Sequence, residues 1–295
     1  MATLNIIDSV PNLVRPEWLK ARAPGGENYH EVRRLVDSFG LHTVCQSAHC
    51  PNIGECWEQR TATFMIAGNV CTRRCGFCAV QKGAPLALDL GEAERVADAA
   101  AQLNLRYAVV TAVNRDDRKD GGAELFARTI LAIRNRLPEC QVEVLIPDLQ
   151  GSAEALQMII DARPDVLNHN IETVERLYRE VRPGSRYERS LELLSRVARV
   201  AQASACVPKS GIMVGLGETI PEVEMTLRDL RAAGVQLITI GQYLRPSSQH
   251  LPIDRYYTPT EFDDLGTAAR AMGFRHVESG PLVRSSYHAR RALAG

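Results

Sequence analysis

The chain has 295 residues, and its 35 basic and 35 acidic side chains cancel to a formal net charge of zero. This balance gives no indication of bulk binding to nucleic acid or to an anionic membrane. No run of residues approaches the roughly 18 consecutive apolar residues of a membrane span, and the amino-terminal segment lacks the regions of a signal peptide. We therefore expect a soluble, cytoplasmic protein with neither a nucleic-acid nor a membrane partner.

From about residue 60 onward, short β-type runs alternate with amphipathic helical stretches. Such alternation predicts parallel strands joined by crossover helices. Helix starts are indicated by Ser152 as a cap, by Pro221 at a first helical position and by Thr260, which has Asp263 three residues later. The predicted strands are Phe64–Ala67, Tyr107–Ala112, Val142–Ile146, Val166–His169, Gly211–Val214 and Leu237–Gly241.

Six such units predict an α/β fold, a partial (βα)6 TIM-like barrel, with an open doubly wound sheet as the alternative. In either fold, functional residues collect at the carboxyl ends of the strands. We predict three parts: an amino-terminal extension over residues 1–59, the partial barrel over 60–275 and a carboxyl-terminal extension over 276–295. The two extensions are expected to hold one site together.

Six of the eight cysteines form two groups of three between residues 45 and 78. Three thiolates are one ligand short of a closed four-thiolate site, so each group either borrows a ligand or leaves a metal position open. Cys140 and Cys206 stand alone, and we predict that they are buried small apolar residues. The first group is Cys45, Cys50 and Cys56, and the second group is Cys71, Cys75 and Cys78.

The second cysteine group follows directly after the first predicted strand. Thiolates are soft ligands that select iron–sulfur clusters, zinc or copper(I). No histidine follows Cys78 at a zinc-finger spacing, and only Cys75 and Cys78 are separated by two residues. The spacing favours an iron–sulfur cluster, with zinc and redox thiols as the alternatives.

A CxxxCxxC motif after the first strand of a partial barrel resembles the radical S-adenosylmethionine superfamily. The resemblance implies that Cys71, Cys75 and Cys78 hold a [4Fe–4S] cluster whose fourth iron binds S-adenosylmethionine. It also implies that the reduced cluster cleaves this cofactor to methionine and a 5′-deoxyadenosyl radical. Such a radical removes hydrogen from an unactivated carbon, which acid–base groups cannot do.

The first cysteine group, CQSAHCPNIGEC, resembles the auxiliary-cluster motif of the lipoyl synthase family. Residues 284–289, RSSYHA, resemble that family's carboxyl-terminal motif. The resemblance covers about residues 30–290. It implies a second [4Fe–4S] cluster whose fourth ligand is a serine. We assign that role to Ser285, with Ser286 as the alternative.

S-adenosylmethionine requires polar groups for its ribose and ammonium and apolar walls for its base. Polar residues and glycines at the predicted strand ends suit these needs, although each alone is equally a cap or turn residue. The glycine pair at 121–122 resembles a family turn, but Ala123 stands where many members have Glu. The predicted binding residues are Thr111, Asn114, Gly121, Gly122, Asn170, Glu172, Gly215, Gly217 and Glu218.

The resemblance implies a sulfurtransferase that inserts sulfur at carbons 6 and 8 of a protein-bound octanoyl-lysine, with the auxiliary cluster as the sulfur donor. Implied partners are octanoylated lipoyl domains of 2-oxoacid dehydrogenase complexes, the glycine-cleavage H protein, and flavodoxin or ferredoxin as reductant. We expect a monomer. A patch of Arg182, Arg186, Arg189 and Lys209 is expected to dock an acidic carrier domain, with a solvated charged face as the alternative.

Two other functions stay open at this point. One is a radical maturase whose auxiliary cluster only transfers electrons and keeps its sulfur. The other is a non-catalytic iron–sulfur or zinc module, which would not cleave S-adenosylmethionine.

Overall fold

The computed structural model describes residues 14–21, 23–201 and 206–287. The strands in these ranges are β1 His42–Thr43, β2 Thr63–Ile66, β3 Val70–Cys71, β4 Gln81–Lys82, β5 Tyr107–Ala112, β6 Gln141–Leu145, β7 Val166–Asn168, β8 Val207–Val214, β9 Leu237–Gln242 and β10 His276–Gly280. The α-helices are α1 Glu27–Ser38, α2 Val44–Ser47, α3 Ile53–Glu58, α4 Glu92–Gln102, α5 Ala123–Arg136, α6 Ala153–Asp161, α7 Tyr178–Val181, α8 Tyr187–Ala201, α9 Ile220–Ala232 and α10 Pro259–Ala271. Short 3-10 turns occupy Glu17–Leu19, Leu149–Gly151 and Glu175–Leu177.

Eight strands form one open sheet in the order β1-β2-β5-β6-β7-β8-β9-β10. Only β1 runs antiparallel to its neighbour, and the other seven strands are parallel. The predicted partial barrel is therefore confirmed as a mostly parallel α/β sheet without closure. The six predicted strands correspond to β2 and β5–β9, and β1 and β10 extend the sheet at its two edges. The sequence of β10, HVESG, is only partly buried and lacks the apolar run that marked the other strands.

The helix starts follow local side-chain chemistry. Ser152 caps α6 by accepting a hydrogen bond from the Ala155 N–H at 3.1 Å, and Pro221 lies in the first turn of α9. The cap predicted at Thr260 was two residues late. Thr258 caps α10 because Glu261 completes a reciprocal capping box with it and Pro259 occupies the first helical position. None of the helices in the described ranges has the length and apolarity needed to cross a bilayer.

The two isolated cysteines lie in the core, as predicted. Cys140 precedes β6 and is 3% exposed, and Cys206 precedes β8 and is 6% exposed. Burial raises the pKa of the Cys140 thiol to about 11 and that of Cys206 to about 12. Both thiols therefore stay neutral at physiological pH and act as small apolar side chains.

A buried ionic network joins side chains of four neighbouring strands of the sheet. The Lys209 ammonium on β8 donates to both carboxylate oxygens of Glu143 on β6, at 2.8 and 3.0 Å. The Tyr107 hydroxyl on β5 donates to the same carboxylate at 2.6 Å, and the Asn168 amide on β7 donates at 3.2 Å. Lys209 and Glu143 are almost fully buried. Four neighbouring strands are thus joined by one fully satisfied carboxylate.

We expect Lys209→Met to destabilise the protein by about 3–5 kcal/mol, because it leaves the Glu143 carboxylate buried without its cation. The double variant Lys209→Met/Glu143→Leu should recover most of that loss, since neither charge remains. Thermal and urea unfolding of the two variants measure the difference. Equal destabilisation in both would contradict this account of the network.

Candidate active site

One cavity of about 1220 Å³ collects most of the residues predicted to be functional. It lies at the carboxyl ends of the parallel strands, the edge at which sheets of this kind bind ligands. Residues from both cysteine groups share its wall with polar side chains of several strand ends. The predicted site residues that line it are Cys45, Cys50, Cys71, Cys75, Cys78, Thr111, Asn114, Asn170, Glu172 and Ser285.

The loop that carries the second cysteine group is held at both ends and in the middle. Strands β3 and β4 pair in parallel and bring its two ends together. The Gly76 N–H donates to the Val181 carbonyl at 3.0 Å. A Cβ at this glycine would lie 2.7 Å from the Leu251 side chain, so the loop packs closely here. The Asn114 N–H, just after β5, donates to the Cys71 sulfur at 3.3 Å.

Arg73 lies inside the second cysteine group and points into the protein. Its guanidinium forms a two-pronged pair with Asp116, at 2.7 and 2.9 Å, and a 2.5 Å pair with Asp148. A third contact, to the Ser185 hydroxyl, measures 2.9 Å. The Arg73 side chain is 4% exposed and that of Asp148 is fully buried. One residue of the cysteine loop is thereby fixed to the loops after β5, β6 and α7.

The thiols of each group lie close enough to repel one another as anions. Burial raises the pKa of Cys45 to about 11 and that of Cys78 to about 11, and neighbouring cysteines add to both shifts. Burial, with Cys45 and Cys50 nearby, raises the pKa of Cys56 to about 12. Cys56 does not line the cavity. The charges of Cys45 and Cys50 act on it, so it belongs with the first group. All eight cysteines are free of disulfides.

Thiols with a raised pKa lose their protons most readily when a metal centre binds the sulfur in place of the proton. Three soft donors in each cysteine group fit an iron–sulfur cluster with one open iron, or a cluster completed by one more ligand. In residues 14–21, 23–201 and 206–287, no group of three His, Cys, Asp or Glu side chains has the arrangement expected around a single metal ion.

The carboxyl-terminal segment lies against the first cysteine group. The Asn52 amide donates to the Leu282 carbonyl at 2.7 Å, and the Tyr287 hydroxyl contacts the Glu55 carboxylate at 3.2 Å. These contacts join segments more than 220 residues apart and bring Ser285 to the cavity. The Thr63 hydroxyl donates to Ser286 at 3.0 Å. The last two residues of the RSSYHA motif lie outside the described residues.

The end of β7 carries the polar pair predicted for S-adenosylmethionine. Glu172 adopts a left-handed backbone conformation (φ 68°), which is uncommon for a residue with a side chain and concentrates at functional sites. The Asn170 amide donates to the Glu172 carboxylate at 3.1 Å. Burial raises the pKa of Glu172. The Asn170 side-chain oxygen is buried without a hydrogen-bond donor among the described residues, so it suits an ammonium or hydroxyl donor on a ligand.

Five other predicted binding residues do not line the cavity. Gly121 and Gly122 turn the chain into α5 with positive φ values of 59° and 90°. In the loop after β8, the Glu218 carboxylate accepts hydrogen bonds from the backbone N–H of Gly215 at 2.6 Å and of Leu216 at 2.9 Å. Gly217 has a φ of 104° in the same turn. These residues shape the loops around the cavity.

The predicted docking patch was wrong for three of its four residues. The buried Arg182 guanidinium donates to the Asn170 carbonyl at 2.8 Å and to the Tyr178 hydroxyl at 2.7 Å. Arg189 pairs with Asp148 at 3.3 Å, and Lys209 belongs to the network inside the sheet. Only Arg186 is exposed. The sequence indicated loops for these residues but not the direction of their side chains.

Sequence reasoning gave no binding role to three cavity residues that bear on the site. Arg182, predicted instead as a docking residue, braces the strand end that carries Asn170. The His169 Nδ1–H donates to the Ile146 carbonyl at 2.9 Å and its Nε2 pairs with the Ser190 hydroxyl at 2.9 Å, and burial lowers its pKa to about 4. Arg284 is desolvated where the charges of Cys50 and Glu172 both act on it, and burial lowers its pKa. Arg284 therefore lies between the two halves of the site. The only signal for Arg284 in the sequence is that it begins the RSSYHA motif.

Two family models match the chain. The model of the radical SAM superfamily matches residues 65–230, and that of the N-terminal domain of lipoyl synthase matches residues 8–50. Among solved structures, the FeFe-hydrogenase maturase HydG from Carboxydothermus hydrogenoformans is similar with a TM-score of 0.58 at 14% identity, covering 90% of this chain and 68% of that one. SuiB from Streptococcus suis bound to S-adenosylmethionine is similar with a TM-score of 0.55 at 10% identity, covering 81% and 51%. These two likenesses concern the fold alone.

Whole-length relatives are much closer in sequence. A lipoyl synthase of Koribacter versatilis is 59% identical over 93% of this chain and 90% of its own length. A lipoyl synthase of a Roseiflexus species is 59% identical over 96% of this chain and 94% of its own length. Identity at this level over nearly the whole of both chains leaves no ambiguity: the chain belongs to the lipoyl synthase family of radical S-adenosylmethionine enzymes.

Proposed function

We propose that the first and second cysteine groups, which meet at one cavity, carry out different parts of the family's reaction. Lipoyl synthases insert sulfur at carbons 6 and 8 of a protein-bound octanoyl chain, using S-adenosylmethionine and [4Fe–4S] clusters. The observation that carries the division is that both groups open onto one cavity of about 1220 Å³. A substrate chain bound there can reach both groups without leaving the protein.

In this proposal, Cys71, Cys75 and Cys78 hold the cluster that binds S-adenosylmethionine. When bound, the cluster and this cofactor supply the radical that removes hydrogen from an unactivated carbon. The placement is supported by Asn170 and Glu172, whose buried polar groups face the same cavity and include one acceptor without a donor.

Of the other predicted binding residues, Thr111 and Asn114 are proposed to contact S-adenosylmethionine because they line the cavity beside Cys71. Gly121, Gly122, Gly215, Gly217 and Glu218 are proposed to act through the shape of the loops that they form. The hydrogen bonds of Glu218 to its own turn support this role.

Cys45, Cys50, Cys56 and Ser285 are proposed to hold the auxiliary cluster that donates sulfur. The contacts of Asn52 with Leu282 support the pairing of the two chain ends. Ser285 is preferred over Ser286, since the Ser286 hydroxyl already accepts a hydrogen bond from Thr63. An oxygen ligand is harder and more labile on iron than a thiolate, which suits a cluster that gives up its sulfur.

The proposed division into residues 1–59, 60–275 and 276–295 follows these roles rather than the sheet. Strands β1 and β10 both belong to the sheet although they lie in the two extensions.

We further propose that the carriers are lipoyl domains of 2-oxoacid dehydrogenase complexes and the glycine-cleavage H protein. Flavodoxin or ferredoxin supplies the electrons, and the enzyme works as a monomer in the cytoplasm.

Arg73 is proposed as a positioning residue for the second cysteine group. Its guanidinium connects that group to two carboxylates, Asp116 and Asp148, in a geometry that only a planar fork can satisfy. Since Arg73 lies between Cys71 and Cys75 in the chain, its position fixes where both sulfurs lie.

The proposed function predicts that anaerobically reconstituted protein holds two clusters. With a strong reductant, S-adenosylmethionine and an octanoyl-lysine peptide, it should release 5′-deoxyadenosine and add two sulfur atoms to the peptide. Mass spectrometry with isotopically labelled cluster sulfide identifies the origin of that sulfur. Unlabelled product sulfur would favour the maturase type of function, and no cleavage of S-adenosylmethionine would favour a non-catalytic module.

Ser285→Ala is expected to reduce product formation at least tenfold, a loss of about 1.4 kcal/mol in transition-state stabilisation, while S-adenosylmethionine cleavage persists. Ser286→Ala, the matched control, loses one neutral hydrogen bond worth about 1 kcal/mol of stability and should keep its activity. Product and 5′-deoxyadenosine are quantified together. The opposite order of the two variants would transfer the ligand role to Ser286.

Arg73→Lys should lower the iron content of reconstituted protein and alter the electron paramagnetic resonance spectrum of the reduced cluster, because lysine cannot bridge two carboxylates as a fork. Arg118→Lys is the matched control, since the Arg118–Asp120 pair is partly exposed and such pairs contribute about 0–1 kcal/mol. Wild-type iron content, spectrum and S-adenosylmethionine affinity in Arg73→Lys would refute the positioning role.

A further inference from the structure

Three exposed cations line the cavity and therefore mark its mouth. Arg15 and Lys20 belong to the segment before α1, and Arg245 follows β9. Each is exposed to solvent even though it contributes to the cavity wall. We call Arg15, Lys20 and Arg245 the mouth rim, and we include Trp18 because it lies between Arg15 and Lys20 in the same exposed segment, although its side chain does not line the cavity.

Within the described part of the chain, Arg15 and Arg245 have no carboxylate partner, and Lys20 has one exposed partner. Arg15 donates to the Leu19 carbonyl at 2.7 Å, and Arg245 donates to the carbonyls of His250 and Ser248 at 2.9 and 2.6 Å. Lys20 has only an exposed contact with Glu17 at 3.5 Å, a geometry that contributes little.

The charged side chains of the cavity wall as a whole are mainly basic. Its described acidic residues are Glu17 and Glu172, whereas its arginines and lysines are Arg15, Lys20, Arg182, Arg245 and Arg284. A cleft lined mainly by one sign of charge raises the local concentration of the opposite charge and steers its approach. The mouth is therefore electrostatically suited to an acidic surface, although the whole chain is neutral.

The mouth rim also exposes apolar area. Trp18 is 43% exposed within the turn Glu17–Leu19, while its neighbour Leu19 is buried at 1% exposure and anchors that turn. Val14 in the same segment is 85% exposed. Tryptophan and arginine are the residues most enriched at the centres of protein–protein interfaces.

From these observations we propose that the mouth rim is the docking surface for the carrier domain, and that it recognises an acidic face around the octanoyl-lysine. This inference rests on the proposed function. An octanoyl chain that reaches Cys45 and Cys71 must pass the mouth, because both residues line the cavity behind it. Since the chain is attached to a folded domain, that domain comes to rest on the rim.

The test compares two substrates on the reconstituted enzyme: an octanoylated lipoyl domain and a short neutral octanoyl-lysine peptide. For Arg15→Glu/Lys20→Glu, the ratio of carrier kcat/KM to peptide kcat/KM should fall about tenfold at low salt, which corresponds to about 1.4 kcal/mol. Arg15→Gln/Lys20→Gln removes the two charges without reversing them and disturbs the turn less. The same ratio should therefore fall by a smaller factor, about threefold. The salt dependence of carrier KM should weaken in both variants.

Arg106→Glu/Arg163→Glu is the matched control, because it reverses two exposed arginines just before β5 and β7, at the opposite edge of the sheet. It should keep the wild-type ratio. Equal ratios and equal carrier affinities for the rim and control variants would overturn the docking surface. Absence of turnover with either substrate would instead count against the proposed function, and carrier affinity measured by fluorescence anisotropy would still test the rim.

Discussion

Holding two groups of thiols together at one cavity is the constraint on which the rest of this structure depends. Five of the six grouped cysteines line that cavity in the described residues, and Cys56 lies behind it. Burial raises the pKa of Cys45, Cys56 and Cys78 to about 11 or 12, so a thiolate there needs a metal or a cation in its surroundings. The parallel sheet makes the arrangement possible, because all of its carboxyl-terminal loops meet at one edge. Residues near both ends of the described chain, among them Cys45 and Ser285, line the cavity at that edge.

Buried guanidinium groups supply the positive charge around the thiols. Arg73 is fully paired with carboxylates and therefore acts on geometry more than on net charge. Arg182 and Arg284 have no carboxylate within ion-pair distance in the described residues, and both act on charges at the cysteines. A cluster with thiolate ligands is anionic, and nearby positive charge favours its reduced form. One arginine is thus fully paired with carboxylates, and two others place positive charge near the thiols of the two cysteine groups.

The sequence was most informative where local chemistry decides the structure. The cap at Ser152 depends on neighbours in the chain, and the structure confirms it. The cysteine spacing is local too, and five of the six grouped cysteines line one cavity, while their role as cluster ligands stays a prediction. Lys209 was misassigned because VPKSGIMV contains a charge inside a strand, and only the distant Glu143 makes that charge tolerable. Strand β10 lacks an apolar run because it is an edge strand that is only partly buried. Long-range pairing and the direction of a side chain are decided by tertiary packing, which no local pattern contains.

Some departures from ordinary backbone geometry and hydrogen bonding lie at the strand ends and in the cavity wall. Ala67, just after β2, and Glu172, after β7, both adopt left-handed conformations that cost of order 1–3 kcal/mol each. The side-chain oxygen of Asn170 and the Nε of Arg182 are buried without hydrogen-bond partners among the described residues. Such costs persist only where the surroundings enforce them. Around Glu172, the backbone hydrogen bonds to Gly211 and Met213 and the Asn170 amide supply that enforcement. Arg182 adds to it through its hydrogen bond to the Asn170 carbonyl, so the end of β7 is fixed by several neighbours at once.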